Sequence, residues 1–185
     1  MPTIYETAYT EAQRYPLQIF SSVKSKRPKN AVIFFRAELI TVLATSRRAA
    51  RKEDVSLFSG VDYLDASAEC RKTAGISAVH MVVGDIDEAF EQGRFDAGIS
   101  TLRSKGLAAV AYQTFNSKSD AERWRVVVLL DTPVHPLDYP RCWQGLNTMF
   151  GGILDGNAKD AARLSYLASH PEGQTRESIV LEART

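Results

Sequence analysis

Two aspartates separated by one residue, Asp85 and Asp87, are the side chains in this sequence best placed to do chemistry. They follow an apolar run over 78–83 that has the length and composition of a buried strand. Side chains alternate across a strand, so both carboxylates should point to one face and Ile86 to the other. Two such carboxylates repel unless a cation lies between them, and their oxygens suit Mg²⁺ or Mn²⁺. The alternative is that Asp87 only caps a following helix.

A site that holds two metal ions usually needs a third carboxylate from elsewhere in the chain. Asp131 ends a later strand that runs opposite to the first, which should place it about 20 Å from Asp85. Asp155 and Asp160 come before the last predicted strand, whose beginning should lie beside the end of the first. Either could reach the pair, and the alternative for both is a loop or capping role.

Apolar periodicity predicts the elements that must position these acids. After the first strand, the order is helix, strand, strand, helix and strand. These elements are predicted over 88–104, 107–114, 123–130, 137–154 and 164–168. The order is that of the ferredoxin-like or RRM-like βαββαβ motif, in which the first and third strands lie antiparallel at the centre and the fourth lies beside the first.

We therefore predict an α+β fold with a βαββαβ catalytic core over about 78–170 and an N-terminal α/β extension packed on it. The extension, over 1–75, is assigned to the same domain and should hold a strand over 31–35 and a helix within 38–51. The core unit is placed at 76–175, and 176–185 is interpreted as a polar tail.

Composition is that of an ordinary globular protein. The chain has 185 residues, of which 44% are hydrophobic and 24% charged, with a formal net charge of +1. This suits one domain and argues against collagen-like, coiled-coil and wholly disordered chains. No apolar stretch approaches the roughly 18 residues of a membrane span, so we expect a cytoplasmic protein with no membrane partner.

Two short basic patches stand out against the near-neutral charge. They are candidate contacts to nucleic acid, and the alternative is a solvated face or loop. The patches consist of Lys24, Lys26, Arg27 and Lys29, and of Arg47, Arg48, Arg51 and Lys52.

Four isolated residues are predicted to have structural roles. Cys70 and Cys142 stand far apart without CxxC spacing, which favours buried thiols over a zinc site or a disulfide framework. His80 and Trp124 lie within predicted strands, where hydrogen bonding and packing are the favoured interpretations.

Over residues 78–175 the sequence resembles the archaeo-eukaryotic primase superfamily, especially the primase-polymerase domains of plasmid, phage and integrative-element replication proteins. The apolar run into Asp85, Ile86 and Asp87 looks like the family's hDhD motif. Residues 111–134 look like the strand, polar turn and strand of its second motif. Residues 154–170 are similar to the third-motif acid, here Asp155, followed by a polar pair, here Ser169 and His170.

The resemblance implies a DNA primase or primase-polymerase that transfers nucleotides by a two-metal mechanism, with Mg²⁺ or Mn²⁺ as cofactor. Its metal ligands and catalytic residues would be Asp85, Asp87 and Asp155. Its contacts to the nucleoside triphosphate, ribo or deoxyribo, would be Ser117, Lys118, Arg125, Arg163 and His170. Its partners would be a single-stranded DNA template and a helicase or other domains of a larger replication protein.

One departure from the family keeps other functions open. The turn of the second motif usually carries a histidine, and this sequence has Phe115, Asn116, Ser117 and Lys118 there instead. A non-catalytic ferredoxin-like domain that binds single-stranded nucleic acid is the first alternative. Another metal-dependent phosphoryl-transfer enzyme, such as a nuclease, is the second.

Overall fold

The computed structural model describes residues 13–87 and 90–183. Within these residues the chain forms eleven strands and three α-helices. The strands are β1 (Arg14–Phe20), β2 (Asn30–Phe35), β3 (Arg47–Arg48), β4 (Leu57–Ser59), β5 (Val61–Tyr63), β6 (Ile76–Ile86), β7 (Ala109–Gln113), β8 (Trp124–Val134), β9 (Ser165–Tyr166), β10 (Ser169–His170) and β11 (Ser178–Leu181). The helices are α1 (Arg36–Ala44), α2 (Gln92–Ser104) and α3 (Tyr139–Met149). The predicted α+β class is confirmed.

The largest sheet has five strands in the order β11, β7, β8, β6 and β5, and each neighbouring pair is antiparallel. Its two longest strands, β6 and β8, lie side by side. Residues 126–129 of β8 are all buried, although they point alternately to opposite faces. Such a continuous apolar run is typical of a strand that is covered on both sides.

One face of this sheet packs against α2 and α3. Phe95 of α2 lies 4.6 Å from the ring of Trp124, measured between ring centroids, and α3 contributes Leu146 to the same core. Helix α2 ends at Ser104, and Gly106 adopts a φ of 68°, a left-handed conformation that favours glycine and stops a helix. The predicted end of this helix is confirmed, whereas its predicted first two residues, Glu88 and Ala89, lie outside the described residues.

The N-terminal strands cover the opposite face. A second sheet has the order β2, β1, β4 and β9, and β3 pairs in parallel with β10 in a separate ribbon. Tyr15 and Leu17 of β1 and Leu39 of α1 are buried in a core that also holds Val110 and Val127 of the large sheet. The N-terminal part of the chain therefore covers the face of the large sheet to which Asp85 should point.

The predicted position of the fourth core strand is wrong. Residues 164–168 do not join the large sheet, because β9 pairs with β4 and β10 pairs with β3. The place beside β6 is taken by β5, which precedes β6 in the chain and pairs with it as an antiparallel neighbour. That pairing covers residues 76–79 of β6, and nearer the end of β6 the N–H of Asp155 donates to the carbonyl oxygen of Asp85.

Two further boundaries differ from the prediction. The segment interpreted as a polar tail contains β11, whose Ile179 and Leu181 pack into the helix-side core and whose Ser178 and Val180 are exposed. The helix predicted within 38–51 ends at Ala44, and Arg47 and Arg48 form β3. The predicted strand over 31–35 is confirmed as β2.

Three of the four isolated residues are placed as predicted, whereas Cys142 is partly buried and not buried as predicted. His80 is buried, with its Nε2 2.8 Å from Oδ2 of Asp62. Trp124 is buried in the helix-side core, and both Cys70 and Cys142 are free thiols. None of the helices within residues 13–87 and 90–183 has the length and apolarity needed to cross a membrane.

Candidate functional site

The end of β6 presents its two aspartates to one face of the large sheet. Asp85 is buried, Asp87 is partly exposed, and both line the same cleft. Ile86 between them is fully buried in the helix-side core. The alternation expected from the sequence is therefore present, and it directs both carboxylates toward the side covered by the N-terminal strands.

Asp85 is neutralised by Arg125, which lies directly opposite it on β8. The Nε of Arg125 donates to Oδ1 of Asp85 at 2.6 Å, and Nη2 donates to Oδ2 at 3.0 Å. The Nη1 of Arg125 donates to the carbonyl oxygen of Tyr166 on β9 at 2.7 Å. The cation that lies beside the aspartate pair is thus a guanidinium, and it links the large sheet to the N-terminal one.

The charge states of this cluster follow from its contacts. Burial alone would raise the pKa of Asp85, but the guanidinium of Arg125, aided by Arg163 and Lys52, outweighs burial and lowers that pKa. Burial would lower the pKa of Arg125, but the carboxylate of Asp85 outweighs it and raises that pKa. Burial raises the pKa of Tyr112, opposite Arg125 on β7, to about 12. At neutral pH the cluster is a charged pair beside an uncharged phenol.

Asp87 has a much looser partner. Its Oδ1 lies 3.9 Å from Nη1 of Arg123, and the two side chains are 40% and 35% exposed. At that distance the contact is an ion pair without a hydrogen bond. Both side chains are therefore available to a ligand that enters the cleft.

The cleft has a volume of about 300 Å³ and an excess of positive charge. Five basic side chains line it against the two aspartates: Lys52, Arg71, Arg123, Arg125 and Arg163. Walls of low dielectric concentrate the field of such charges and attract anions. The cleft therefore suits a ligand with several negative charges.

Two of these cations come from the N-terminal part of the chain. Nη1 of Arg71 donates to the carbonyl oxygens of Val23 and Ser25, which holds the first basic loop at the rim of the cleft. The Nζ of Lys52 lies 4.9 Å from the ring centroid of Tyr166. Sequence reasoning missed Arg71 altogether and placed Lys52 only in a surface patch, because no local pattern connects either residue to β6.

Asp155 does not join the aspartate pair. Its N–H donates to the carbonyl oxygen of Asp85 at 2.7 Å, so its backbone does lie beside the end of β6. Its carboxylate instead caps the next turn, with Oδ1 accepting from the backbone N–H of Asn157 at 3.0 Å. Asp160 likewise accepts from the N–H of Ala162 at 2.9 Å. Asp155 and Asp160 therefore both have the capping role predicted from the sequence as the alternative to metal binding.

Asp131 lies where the strand geometry predicts, at the far end of β8 from Arg125. Its Oδ1 accepts from Nη2 of Arg36 at 2.5 Å, at the beginning of α1. It has no place in the cleft.

The predicted three-carboxylate site for two metal ions is not assembled. Across residues 13–87 and 90–183, no three Asp, Glu, His or Cys side chains are grouped so that they could hold a metal ion. Asp85 and Asp87 alone fit one hard divalent cation, because both are oxygen ligands that line one cleft. Arg125 occupies only part of the lone pairs of Asp85, since a carboxylate has about four acceptor positions.

The turn between β7 and β8 lies beside the cleft. Ser117 is buried, and its Oγ accepts from the backbone N–H of Arg123 at 3.0 Å, which closes the turn. Lys118 is exposed and lines a second groove together with Arg176. Neither Ser117 nor Lys118 lines the cleft, whereas Arg163, also predicted to contact phosphates, does.

His170 and the second basic patch lie on the ribbon of β3 and β10. Nδ1 of His170 is 2.8 Å from Oγ of Ser46, and His170 is not among the residues that line the cleft. Arg48 forms a 3.0 Å ion pair with Glu172, and Arg47 donates to the backbone carbonyl oxygens of Val42 and Thr45. This patch is therefore partly engaged by the protein itself.

The first basic patch occupies the loop between β1 and β2. Lys26 pairs with Glu69 at 2.5 Å, and Arg27 donates to the carbonyl oxygen of Ser67 at 3.2 Å. Lys24 and Lys29 are exposed on the same loop. Because Val23 lines the cleft, this patch lies at its rim.

No protein-family model matches the chain, and no curated protein matches it. Two solved structures are similar at low identity. One is the AEP domain of the primase-polymerase of cyanophage S-2L, with 13% identity over 95% of this chain and 86% of that one, at a TM-score of 0.42. The other is the polymerase domain of Mycobacterium tuberculosis Ligase D in complex with DNA, with 11% identity over 86% and 69% of the two chains, at a TM-score of 0.41. At TM-scores below 0.5, neither likeness bears on the chemistry of this chain.

Proposed function

We propose that this chain carries out template-directed nucleotidyl transfer, as a DNA primase or primase-polymerase. The 3′ hydroxyl of a strand attacks the α-phosphate of a bound nucleoside triphosphate, and an oxygen–phosphorus bond forms. The bond from the α-phosphorus to the bridging oxygen breaks, pyrophosphate leaves, and the hydroxyl proton passes to solvent. The observation that carries the proposal is the cleft in which five basic side chains surround Asp85 and Asp87.

The phosphates of the nucleotide would bind to the basic side chains of the cleft that form no hydrogen bond with Asp85. Arg163 and Arg71 offer planar forks of N–H donors, and Lys52 offers a point charge. Arg123 lies nearer the rim, where its loose contact with Asp87 can be exchanged for a phosphate oxygen. Arg125 is committed to Asp85 and Tyr166, so its role is to position the acid.

Asp85 and Asp87 would hold one Mg²⁺ or Mn²⁺ ion. When bound, such an ion neutralises charge on phosphate oxygens and lowers the pKa of the attacking hydroxyl. The resemblance of the segment around these residues to the hDhD motif supports this assignment. Asp155 would act through the backbone, since its N–H holds the carbonyl oxygen of Asp85 in place.

The template strand would contact the basic loop at the rim of the cleft. Lys24 and Lys29 are exposed there, and Lys26 and Arg27 are exposed but also bonded to residues 69 and 67. Arg47 and Arg48 would add weaker contacts, because their charges are shared with the protein.

A non-catalytic domain that binds single-stranded nucleic acid is the second candidate. Two observations favour it. Both oxygens of Asp85 accept hydrogen bonds from Arg125, and Lys118 stands in a turn where the resembled family has a histidine. A domain that only binds nucleic acid needs the cations and not the acids.

Incubating the full chain with primed template, labelled nucleotide and Mg²⁺ or Mn²⁺ distinguishes the candidates. Strand extension by the wild type, lost in Asp87→Asn and kept in Asp96→Asn, is the expected result. Asp96 is the matched control because it is an exposed aspartate on α2, on the other side of the sheet. Retention of the template without extension under any metal supports the binding domain, and shortening of the strand supports a nuclease.

A further inference from the structure

A second groove lies next to the cleft and is larger, with a volume of about 470 Å³. One wall is the turn between β7 and β8, over residues 115–121. The other wall is the segment after β10, which contributes Pro171, Gln174 and Arg176. Of the residues that line this groove, only Arg123 is also assigned to the proposed nucleotide site.

The lining of the groove carries basic side chains and no acidic one. The basic side chains are those of Lys118, Arg123 and Arg176. Among the described residues, no carboxylate forms an ion pair with Lys118 or Arg176. Arg176 is partly buried, so its guanidinium has lost part of its hydration.

Arg176 instead joins the two walls through neutral acceptors. Its Nε donates to the carbonyl oxygen of Thr114 at 3.1 Å, and Nη2 donates to that of Phe115 at 3.0 Å. Nη2 also donates to Oε1 of Gln174 at 2.7 Å, and Nη1 donates to the carbonyl oxygen of Thr175 at 2.9 Å. These contacts hold the guanidinium in place and leave its positive charge unneutralised.

The turn that forms the first wall is closed by its own hydrogen bonds. Lys118 and Ala121 exchange two backbone hydrogen bonds of 3.2 Å, and Oγ of Ser117 accepts from the N–H of Arg123. A wall fixed in this way loses little conformational freedom when a ligand binds. The groove is therefore pre-organised for an anion.

The groove is continuous with the cleft. Phe115, Asn116 and Arg123 line both, so the partly buried ring of Phe115 lies at the junction. Proteins that bind single strands without sequence preference combine a positive groove that follows the backbone with an aromatic ring on which a base stacks. The residues at this junction supply both features.

We propose that the groove between the β7–β8 turn and the segment 171–176 binds backbone phosphates of a single-stranded nucleic acid and leads that strand into the cleft. Lys118 and Arg176 contact the phosphates, and Phe115 supports the base nearest the nucleotide. The entry into the cleft rests on the proposed function, whereas binding in the groove does not. The cleft already holds enough positive charge for a triphosphate, so the groove serves the strand.

The test measures binding of a fluorescently labelled oligothymidylate to the full chain over a range of salt concentrations. Lys118→Gln and Arg176→Gln should each bind more weakly than the wild type. Each should also reduce the slope of log K against log salt by about 0.7, the value for one phosphate contact on a single strand. Lys105→Gln is the matched control, since Lys105 is exposed at the opposite end of β7 from the turn.

Two further measurements make the result decisive. Arg176→Lys keeps the charge and loses the fork, so it should recover part of the slope, and thermal unfolding identifies any variant that fails to fold. A salt slope in Lys118→Gln equal to that of Lys105→Gln would overturn the proposal. So would a larger loss of affinity for free nucleoside triphosphate than for the oligonucleotide, because the groove would then hold the nucleotide's phosphates.

Failure of the proposed function is distinguishable from failure of this inference. A wild type that never extends a primer, but whose oligonucleotide binding depends on Lys118 and Arg176, refutes nucleotidyl transfer and supports the groove. A wild type that extends a primer, with both variants binding the strand as the control does, supports the enzyme and refutes the groove.

Discussion

Two aspartate–arginine pairs lie two residues apart on the same strand ends, and they differ in almost every property that matters for function. Asp85 and Arg125 are both less than 10% exposed and share hydrogen bonds of 2.6 and 3.0 Å. Asp87 and Arg123 are more than a third exposed and are separated by 3.9 Å. The first pair also contacts β9, since the carbonyl oxygen of Tyr166 accepts a hydrogen bond from Arg125.

The buried pair has a structural role that the exposed pair lacks. Two desolvated charges stabilise a fold only when each satisfies the other, and the loss of one leaves the other uncompensated. An exposed pair contributes little and can exchange its partners with a ligand. Under the proposed function, Arg125 would position Asp85, and Asp87 and Arg123 would contact the ligand.

The largest expected effect is on the buried pair. Asp85→Leu should lower the free energy of unfolding by about 3–5 kcal/mol, because it leaves the guanidinium of Arg125 buried without a counter-charge. Two neighbouring carboxylates would repel by themselves, but in the fold Arg125 neutralises Asp85, so removing Asp85 destabilises the protein. Urea unfolding monitored by Trp fluorescence gives the value, with Asp96→Asn as the control.

The double variant Asp85→Leu/Arg125→Met sharpens this result. Replacing both charges with apolar side chains should restore most of the lost stability, since no unpaired charge remains. If the double variant is as unstable as the sum of the single ones, then the pair is not coupled and the comparison fails.

The second effect is a dependence of stability on pH. The pKa of Asp85 lies below its unfolded value of about 3.9, so the pair contributes fully above about pH 4. Its contribution is lost as the pH falls through the lowered pKa. The difference in unfolding free energy between wild type and Asp85→Asn should be constant from about pH 7 to pH 5 and should shrink at lower pH. An equal difference at pH 3 and pH 7 would contradict the assigned charge state.

The contrast between the pairs also marks how far the sequence could predict the site. The alternation of Asp85, Ile86 and Asp87 follows from the two-residue period of a strand, which is a local property. The pairing of Asp85 with Arg125 depends on the register between strands 40 positions apart in the chain. A bulge between Val79 and Met81 shifts that register, and no pattern in the sequence predicts this bulge.

The fold shows the same limit: its local periodic elements were predictable, and its long-range strand pairings were not. The strands and helices from 76 to 149 have strong apolar periods and lie close to their predicted positions. Two strands of the large sheet were not predicted. One is the three-residue β5 beside β6, and the other is the four-residue β11 at the outer edge, between Glu177 and Glu182. Such short strands carry too few apolar residues for a period to be recognised, and their pairing is decided by tertiary packing.

The third effect separates stability from function at the exposed pair. Asp87→Asn should change the free energy of unfolding by less than about 1 kcal/mol, because an exposed ion pair contributes little. Under the proposed function, nucleotide incorporation should nevertheless fall by about a hundredfold or more, since a ligand to the ion contributes several kcal/mol to the transition state. Full incorporation by a folded Asp87→Asn would remove Asp87 from the site.

The smallest effect is the response of each pair to salt, and it tests the comparison most directly. A double-mutant cycle with Asp87→Asn and Arg123→Gln should give a coupling of about 0.2–1 kcal/mol at low salt. In 1 M NaCl the Debye length is about 3 Å, shorter than the 3.9 Å between the charges, so that coupling should approach zero. The coupling between Asp85 and Arg125 should survive the same salt, because solvent ions do not enter the buried contact. Equal loss of both couplings would mean that β9 does not exclude solvent from Asp85, and the distinction between the two pairs would be one of distance alone.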